Sequence, residues 1–239
     1  MDRNTTTNPH ISVIIPVYNE ADKINATIAH VREVASEEYV EIIVSDGGPG
    51  HETLQVIDDN NVIKVNSPPG RGKQFNAGAA VASGDTFLFL HADTRLPAGA
   101  FQAIRQTIES TGGAGAFSLS IESPKLSLAV IAWFANIRTR LERTPYGDQA
   151  QFIQANRFRD IGGFADIPIM EDVEFFKRIR MEGLPITILP GKVRTSCRRW
   201  DEEGILRRTL TNWWLRVRYA LGTSPDKLVR YYRPPTDNR

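Results

Sequence analysis

Residues 83–97 read SGDTFLFLHADTRLP, an apolar run from Thr86 to Leu90 that stops abruptly in polar chemistry. Large apolar residues in succession, without alternation, describe a strand covered on both faces, as in a parallel sheet. His91 and Asp93 follow at i and i+2, on one side of an extended chain and at the strand's carboxyl end, where open α/β sheets hold their ligands. Two metal-ligating residue types at that position suit a divalent ion, and such an ion suits a diphosphate.

The same signal recurs upstream. Residues 11–17 (ISVIIPV) form a second all-apolar strand, and Tyr18-Asn19-Glu20 leads into a helical pattern over 21–36. Two more strands are predicted at 41–45 and 62–65, with a short helix at 54–59 between them. A glycine-rich turn, Pro68-Pro69-Gly70-Arg71-Gly72-Lys73, opens a helix over 74–82 that delivers the chain to Thr86. Strands alternating with helices through short loops predict a parallel sheet with right-handed crossovers.

Downstream, Pro97 suits the first turn of a helix over 98–110, which Gly112-Gly113 stops. Residues 116–121 alternate as a strand does. Residues 125–142 are apolar on more than one face and then basic, which predicts a core-packed helix, with a membrane-touching helix as the alternative. Tyr146-Gly147-Asp148-Gln149 precedes a strand-like AQFI and a turn at Gly162-Gly163. Glu171 and Asp172 open a helix over 173–182, where the helix dipole favours acids. Residues 186–189 and 192–195 read as edge strands. The last helix, 205–221, gathers apolar residues with Trp213 and Trp214 on one face and Arg207, Arg208, Arg216 and Arg218 on the other. Docking on the domain and contact with a membrane surface or an acidic partner both fit that pattern.

A chain of 239 residues can bury one sizeable α/β core. The net charge of +1 conceals an asymmetry: residues 194–239 carry 11 basic and 5 acidic side chains, so everything before them is net −5. Net basic character is therefore concentrated at one end, and no nucleic acid is expected as a partner. A single cysteine, Cys197, excludes an internal disulfide framework and suits a reducing cytoplasm. Residues 1–10 lack the apolar core of a signal peptide and read as a disordered tail. The longest apolar run, 126–135, is too short to span a bilayer. These points place the protein in the cytoplasm, with peripheral attachment to the inner face of the membrane as the variant.

The order of the signals carries a resemblance. SVIIPVYNE, strand-end Asp46, Gly-Arg-Gly-Lys, HAD at a strand end, GGF followed by MED, and then RRW resemble the family 2 glycosyltransferases over residues 11–200. The match is nearest to a bacterial subgroup of short enzymes that carry GDQ and RRW. The resemblance implies the A-type nucleotide-sugar transferase fold: a three-layer α/β/α sandwich with a mostly parallel sheet, plus C-terminal helices. It divides the chain into a nucleotide-binding half, 11–95, an acceptor half, 96–200, and a C-terminal basic amphipathic helix and tail, 201–239.

It also implies roles, each of which has a plainer structural alternative. Pro16, Tyr18 and Glu20 line the nucleoside pocket in the family, and the Asp46 position bonds the base edge. Arg71 and Lys73 match the basic loop that neutralises phosphate. Asp93 matches the metal-binding acid of an Asp-x-Asp signature whose first acid is here His91; imidazole suits Mn²⁺ better than Mg²⁺, and His91 is equally readable as a hydrogen-bond donor behind the ligand. Asp172 aligns with the catalytic base. Asp148, Gln149, Glu171, Arg198, Arg199 and Trp200 fall where donor sugar or acceptor is contacted, although Ser196 replaces the glutamine of the processive enzymes. The implied activity is inverting transfer from a UDP- or GDP-linked sugar to an acceptor that the residues leave open, a lipid-linked one included. A nucleotidyltransferase on a sugar phosphate and a non-catalytic sugar-nucleotide binder are the competing readings.

Overall fold

The structure is a computed structural model and describes residues 11–36 and 38–232; the expected tail, 1–10, lies outside the described residues. The chain begins β1 (Ile11–Val17), α1 (Ile24–Ala35), β2 (Val40–Asp46), α2 (Glu52–Gln55), β3 (Val62–Asn66), α3 (Arg71–Val81) and β4 (Thr86–Phe89). It continues through β5 (Thr94–Arg95), α4 (Ala100–Thr111), β6 (Ala114–Glu122), α5 (Leu126–Glu142), a 3₁₀ turn (Gly147–Gln149), β7 (Gln151–Gln154) and α6 (Ala155–Ile161). It closes with α7 (Glu171–Met181), β8 (Ile186–Ser196), α8 (Arg198–Glu203), α9 (Ile205–Ala220) and α10 (Pro225–Leu228).

One eight-stranded sheet, in the order β3-β2-β1-β4-β7-β6-β8-β5, carries the whole. β1, β2, β3 and β4 run parallel, as their unbroken apolar runs predict. β7 then enters antiparallel between β4 and β6. That reversal brings the start of β7, and the turn before it, to the edge where β1, β2 and β4 end. The two strands expected at 186–189 and 192–195 are a single β8, parallel to β6 and shifted in register at Phe117/Ser118. β8 is not an outermost strand, because its last residues pair with β5.

Alternation along each strand feeds two cores, one on each side of the sheet. Val13, Ile15, Ile42, Val44, Leu88 and Leu90 face α1, α4 and α5 through Ile28, Val31, Phe101, Ile104 and Leu128. Ile14, Ile43, Phe87 and Phe89 face α3, α6 and α7 through Phe75, Phe158, Phe175 and Phe176. This is the three-layer arrangement that the alternation of strands and helices predicts. α6 was not anticipated: its seven residues are too few for a readable period, yet Phe158 fills the aromatic cluster, 5.2 Å from Phe89 and 5.5 Å from Phe175.

α3 lies so close to β1 that Gly78 has no room for a side chain, since an added Cβ would strike Ile14 Cγ2. Gly78→Ala is therefore expected to lower stability by about 1–3 kcal/mol through overpacking, despite the ~1 kcal/mol that alanine gains over glycine in a helix. Chemical denaturation monitored by circular dichroism measures it.

Candidate active site

At the carboxyl edge of the sheet, between the ends of β1 and β4, the strand order reverses direction. Such a crevice is where open α/β sheets bind ligands. A cavity of about 170 Å³ opens there. Four separate parts of the chain wall it, and Arg71, at the start of α3, adds to the lining.

The first wall follows β4. His91 and Asp93 both face the cavity. The His91 ring stacks on Phe75 at 6.1 Å and presses against Gly147, where an added Cβ would lie 2.8 Å from Nε2. The glycine of GDQ is thus required by the approach of His91.

The second wall is the 3₁₀ turn before β7. Asp148 lines the cavity, and its Oδ1 is buried without a hydrogen-bond partner. Burial, aided by the negative charges of Asp172 and Asp93, pushes its carboxyl up to about 6. Tyr146 lies beside it, and burial pushes that hydroxyl up as well. The Arg138 guanidinium covers the Tyr146 ring at 3.6 Å, and Arg216 Nη1 donates to its hydroxyl at 2.7 Å.

The third wall is the start of α7. Asn76 of α3 bonds the Phe164 amide (2.9 Å) and carbonyl (2.8 Å), and Arg178 of α7 donates to the carbonyls of Ile161 (2.7 Å) and Gly163 (2.6 Å). The GGF turn is therefore clamped from both sides. Met170 then takes a left-handed φ of 66°, a strained geometry of the kind that functional sites retain, and launches α7. Asp172, in the first turn, accepts from the Gly147 N–H at Oδ2 (2.8 Å) and from its own neighbour's Val173 N–H at Oδ1 (2.7 Å). Each carboxylate oxygen keeps a lone pair free to take a proton from a hydroxyl in the cavity.

The fourth wall comes from the C-terminal segment. Thr195, Ser196, Arg198 and Trp200 enter from the end of β8 and α8, and Arg208, Asn212 and Leu215 from α9. Trp200 Nε1 is buried without a partner. A small apolar cluster of Ile169, Leu215 and Leu228, with Met170 and Tyr219 against it, holds α9 and α10 onto the turn that precedes α7.

The structure thus brings His91, Asp93, Asp148, Asp172, Arg71, Arg198 and Trp200 together. Other expected site residues are placed differently. Gln149 does not reach the cavity: it accepts from Thr139 Oγ1 (3.0 Å) and the Tyr146 N–H (3.0 Å) and donates to the Phe117 carbonyl (2.9 Å). Its amide shapes the turn that presents Asp148. Glu171 is buried outside the cavity lining and bound to Arg71 through Oε1 at 2.6 Å, so it anchors the basic loop to α7, while its Oε2 is buried without a hydrogen-bond partner. Lys73 pairs with Asp166 at 3.2 Å, away from the cavity. Pro16, Tyr18, Glu20 and Asp46 occupy the same sheet edge outside the cavity. Tyr18 is exposed; Glu20 bonds Lys23 (2.9 Å) and faces Arg198 (3.5 Å); Asp46 accepts from the Gly48 N–H (2.7 Å) and keeps Oδ2 buried without a partner. The side chain of Arg199 lies outside what is described. A second recess of about 220 Å³, lined by Lys23, His30, Arg95 and Asp93 among others, shares Asp93 and Arg198 with the first.

Tyr146, Asn212, Leu215 and Arg208 belong to the site and were not read as cavity residues. Tyr146 had a signal, its place beside Gly147-Asp148. The α9 residues had none, because their row mixes charge, amide and leucine.

Among the described residues no three His, Cys, Asp or Glu side chains come together where they could hold a metal ion. His91 and Asp93 are two donors on one wall of the cavity, and Asp148 Oδ1 is buried there without a hydrogen-bond partner; a cation held by His91 and Asp93 would need ligand oxygens to complete its coordination.

Comparison with known proteins identifies the family and the fold. The family described as Glycosyl transferase family 2 matches over residues 12–220. "Uncharacterized glycosyltransferase Rv1514c" of Mycobacterium tuberculosis (strain ATCC 25618 / H37Rv) is 27% identical over 197 residues, covering 77% of this chain and 73% of that protein. Among solved structures, S. aureus TarS 1-349 superposes with a TM-score of 0.59 at 16% identity, and its complex with UDP-GlcNAc with a TM-score of 0.58 at 16%. Those alignments cover 78% of this chain and only 60% and 58% of TarS 1-349, a likeness of fold. The chain belongs to glycosyl transferase family 2, and its sheet and flanking helices have the A-type sugar-transferase fold.

Proposed function

We propose that the protein is an inverting glycosyltransferase that moves a sugar from a nucleoside-diphosphate sugar to an acceptor hydroxyl in a single displacement, with Asp172 as the base. The observation that carries this reading is the placement of Asp172 and Asp93 on different walls of one cleft, with the Asp172 carboxylate oriented by two backbone amides. The acceptor oxygen bonds to the anomeric carbon as the bond from that carbon to the diphosphate oxygen breaks. The hydroxyl proton passes to Asp172, and the nucleoside diphosphate leaves. Arg71 and Arg198 line the cavity and offer guanidinium groups to the departing charge. Asp93, with His91 beside it, would hold a divalent cation, which when bound supplies further neutralisation of that charge. Trp200 offers an indole face for stacking on a sugar ring. The TarS complex with UDP-GlcNAc supports starting with UDP-linked donors.

A thermal-shift panel of UDP-, GDP- and dTDP-sugars with Mn²⁺ tests the donor class. A donor at a hundred times its dissociation constant adds about 2.7 kcal/mol to the native state, several degrees of midpoint, and releases its nucleoside diphosphate slowly without acceptor. No shift and no release with any of them would remove this reading.

A further inference from the structure

The expectation for the last helix was an apolar face opposite a face of Arg207, Arg208, Arg216 and Arg218, with docking on the domain and contact with a membrane surface or an acidic partner both open. α9 packs inward through Arg208, Asn212, Leu215 and Tyr219, and the outward row is Leu206, Leu210, Trp213, Val217 and Leu221. Leu210 is 65% exposed and Trp213 69%. Arg208 is buried against Glu203 (3.1 Å), and Arg216 is bound to Glu142 and Tyr146, so neither reaches outward freely. Arg207 and Arg218 do: they lie with Trp214 on the flanking row, Arg218 at 5.8 Å from the Trp214 ring.

α5 lies against α9: Lys125, just before α5, pairs with Asp201 of α8, and Glu142, the last residue of α5, with Arg216 of α9. It buries Leu128, Ala132, Asn136 and Thr139 and turns Leu126, Val130, Trp133, Phe134 and Leu141 outward, Trp133 being 58% exposed. α5 and α9 thus each turn an apolar row outward, with Trp133 in one, Trp213 in the other and Trp214 on the flanking row. Exposed large apolar side chains gathered on neighbouring helices mark an interaction surface.

From this geometry we infer that the α5–α9 face docks on the surface of a bilayer that contains anionic lipid. Charge chooses the occupant. α9 has no acidic residue, and the one acid on α5, Glu142, is occupied by Arg216. Arg207, Arg218 and Arg140 are exposed around the apolar rows. Exposed tryptophan and leucine rimmed by arginine match the headgroup boundary, where apolar side chains sink and cations meet lipid phosphate. A second copy of the chain fits worse: a two-fold pairing of α9 sets one copy's arginines near the other's, with no acid on that helix between them. No helix of the described residues is long and apolar enough to cross a membrane, so the contact is superficial. The inner row of α9 walls the cleft, so docking sets the cleft beside the headgroups. The proposal stands whether or not the cleft transfers sugar.

Vesicle co-sedimentation at low salt tests it, with phosphatidylcholine alone and with phosphatidylglycerol added. The full chain should bind the anionic vesicles at least tenfold more tightly, and its tryptophan emission should be quenched by brominated lipid. Leu210→Glu with Trp213→Glu should abolish binding; Arg207→Glu with Arg218→Glu should erase the preference for anionic lipid. All four positions are exposed, and unchanged circular dichroism melts confirm folding. Failure of the unaltered protein to bind either vesicle, absence of quenching, or a dimer in sedimentation velocity that Leu210→Glu with Trp213→Glu dissolves, would overturn the proposal.

Discussion

Asp172→Asn leaves the protein folded and able to bind nucleotide while lowering sugar transfer by about three orders of magnitude, within the range that a positioned base contributes. The substitution keeps one acceptor of the two that Gly147 N–H and Val173 N–H use, so the turn and α7 stay in register. What it removes is the only basic function at that position. Steady-state transfer measured alongside the donor thermal shift separates the two effects. A variant that keeps nucleotide-dependent activity would instead favour attack at the α-phosphate, which has less need of this carboxylate.

Asp148→Asn has an effect of unusual sign, because it stabilises the protein. The carboxyl is lifted from its ordinary 3.8 to about 6 by burial and by the charges of Asp172 and Asp93. Below about pH 4 it is protonated in both folded and unfolded chains and costs nothing. As pH rises from about 4 to 6, the unfolded chain releases its proton while the folded one retains it, so stability falls; above about 6 the whole penalty is present. With partial solvent contact allowed for, that penalty is about 2 kcal/mol at pH 7–8. Asparagine does not titrate. Its advantage should therefore be absent at pH 4, grow across the window, and reach about 4–8 °C of melting midpoint at pH 8 for a chain of this size. Differential scanning calorimetry in EDTA without nucleotide measures it. Most substitutions destabilise; a gain here would identify Asp148 as a group kept for its charge at a cost in stability.

Much of this arrangement was legible before the structure, for identifiable reasons. Ile11–Val17 and Thr86–Phe89 are buried on both faces, so no alternation disguises them. His91, Asp93 and Asp172 stand at the ends of strongly patterned elements, and a strand or helix end has a known address in an α/β sheet. The reading weakened where a side chain's partner is remote in sequence. Glu171 and Gln149 have the chemistry of ligand contacts, and only their distant partners, Arg71 and Phe117, show that both are consumed in shaping the site. For α9, periodicity reveals which residues share a face and is silent about which face turns inward. The apolar pattern left both outcomes open; in the structure Arg208 is buried with its own carboxylate and Leu215 packs against Ile169 and Leu228, so that row faces inward.

The fourth wall of the cleft has a consequence for biosynthesis. Ribosomes deliver β1 to β4 early, and those neighbouring strands can pair while the rest is still being made. Arg208, Asn212, Leu215 and Tyr232 follow the last strand of the sheet in the chain, and each borders the cavity. A nascent polypeptide stalled ahead of α9 holds the strands of the sheet but no finished pocket, so termination there yields an open-sided sheet rather than a slower catalyst.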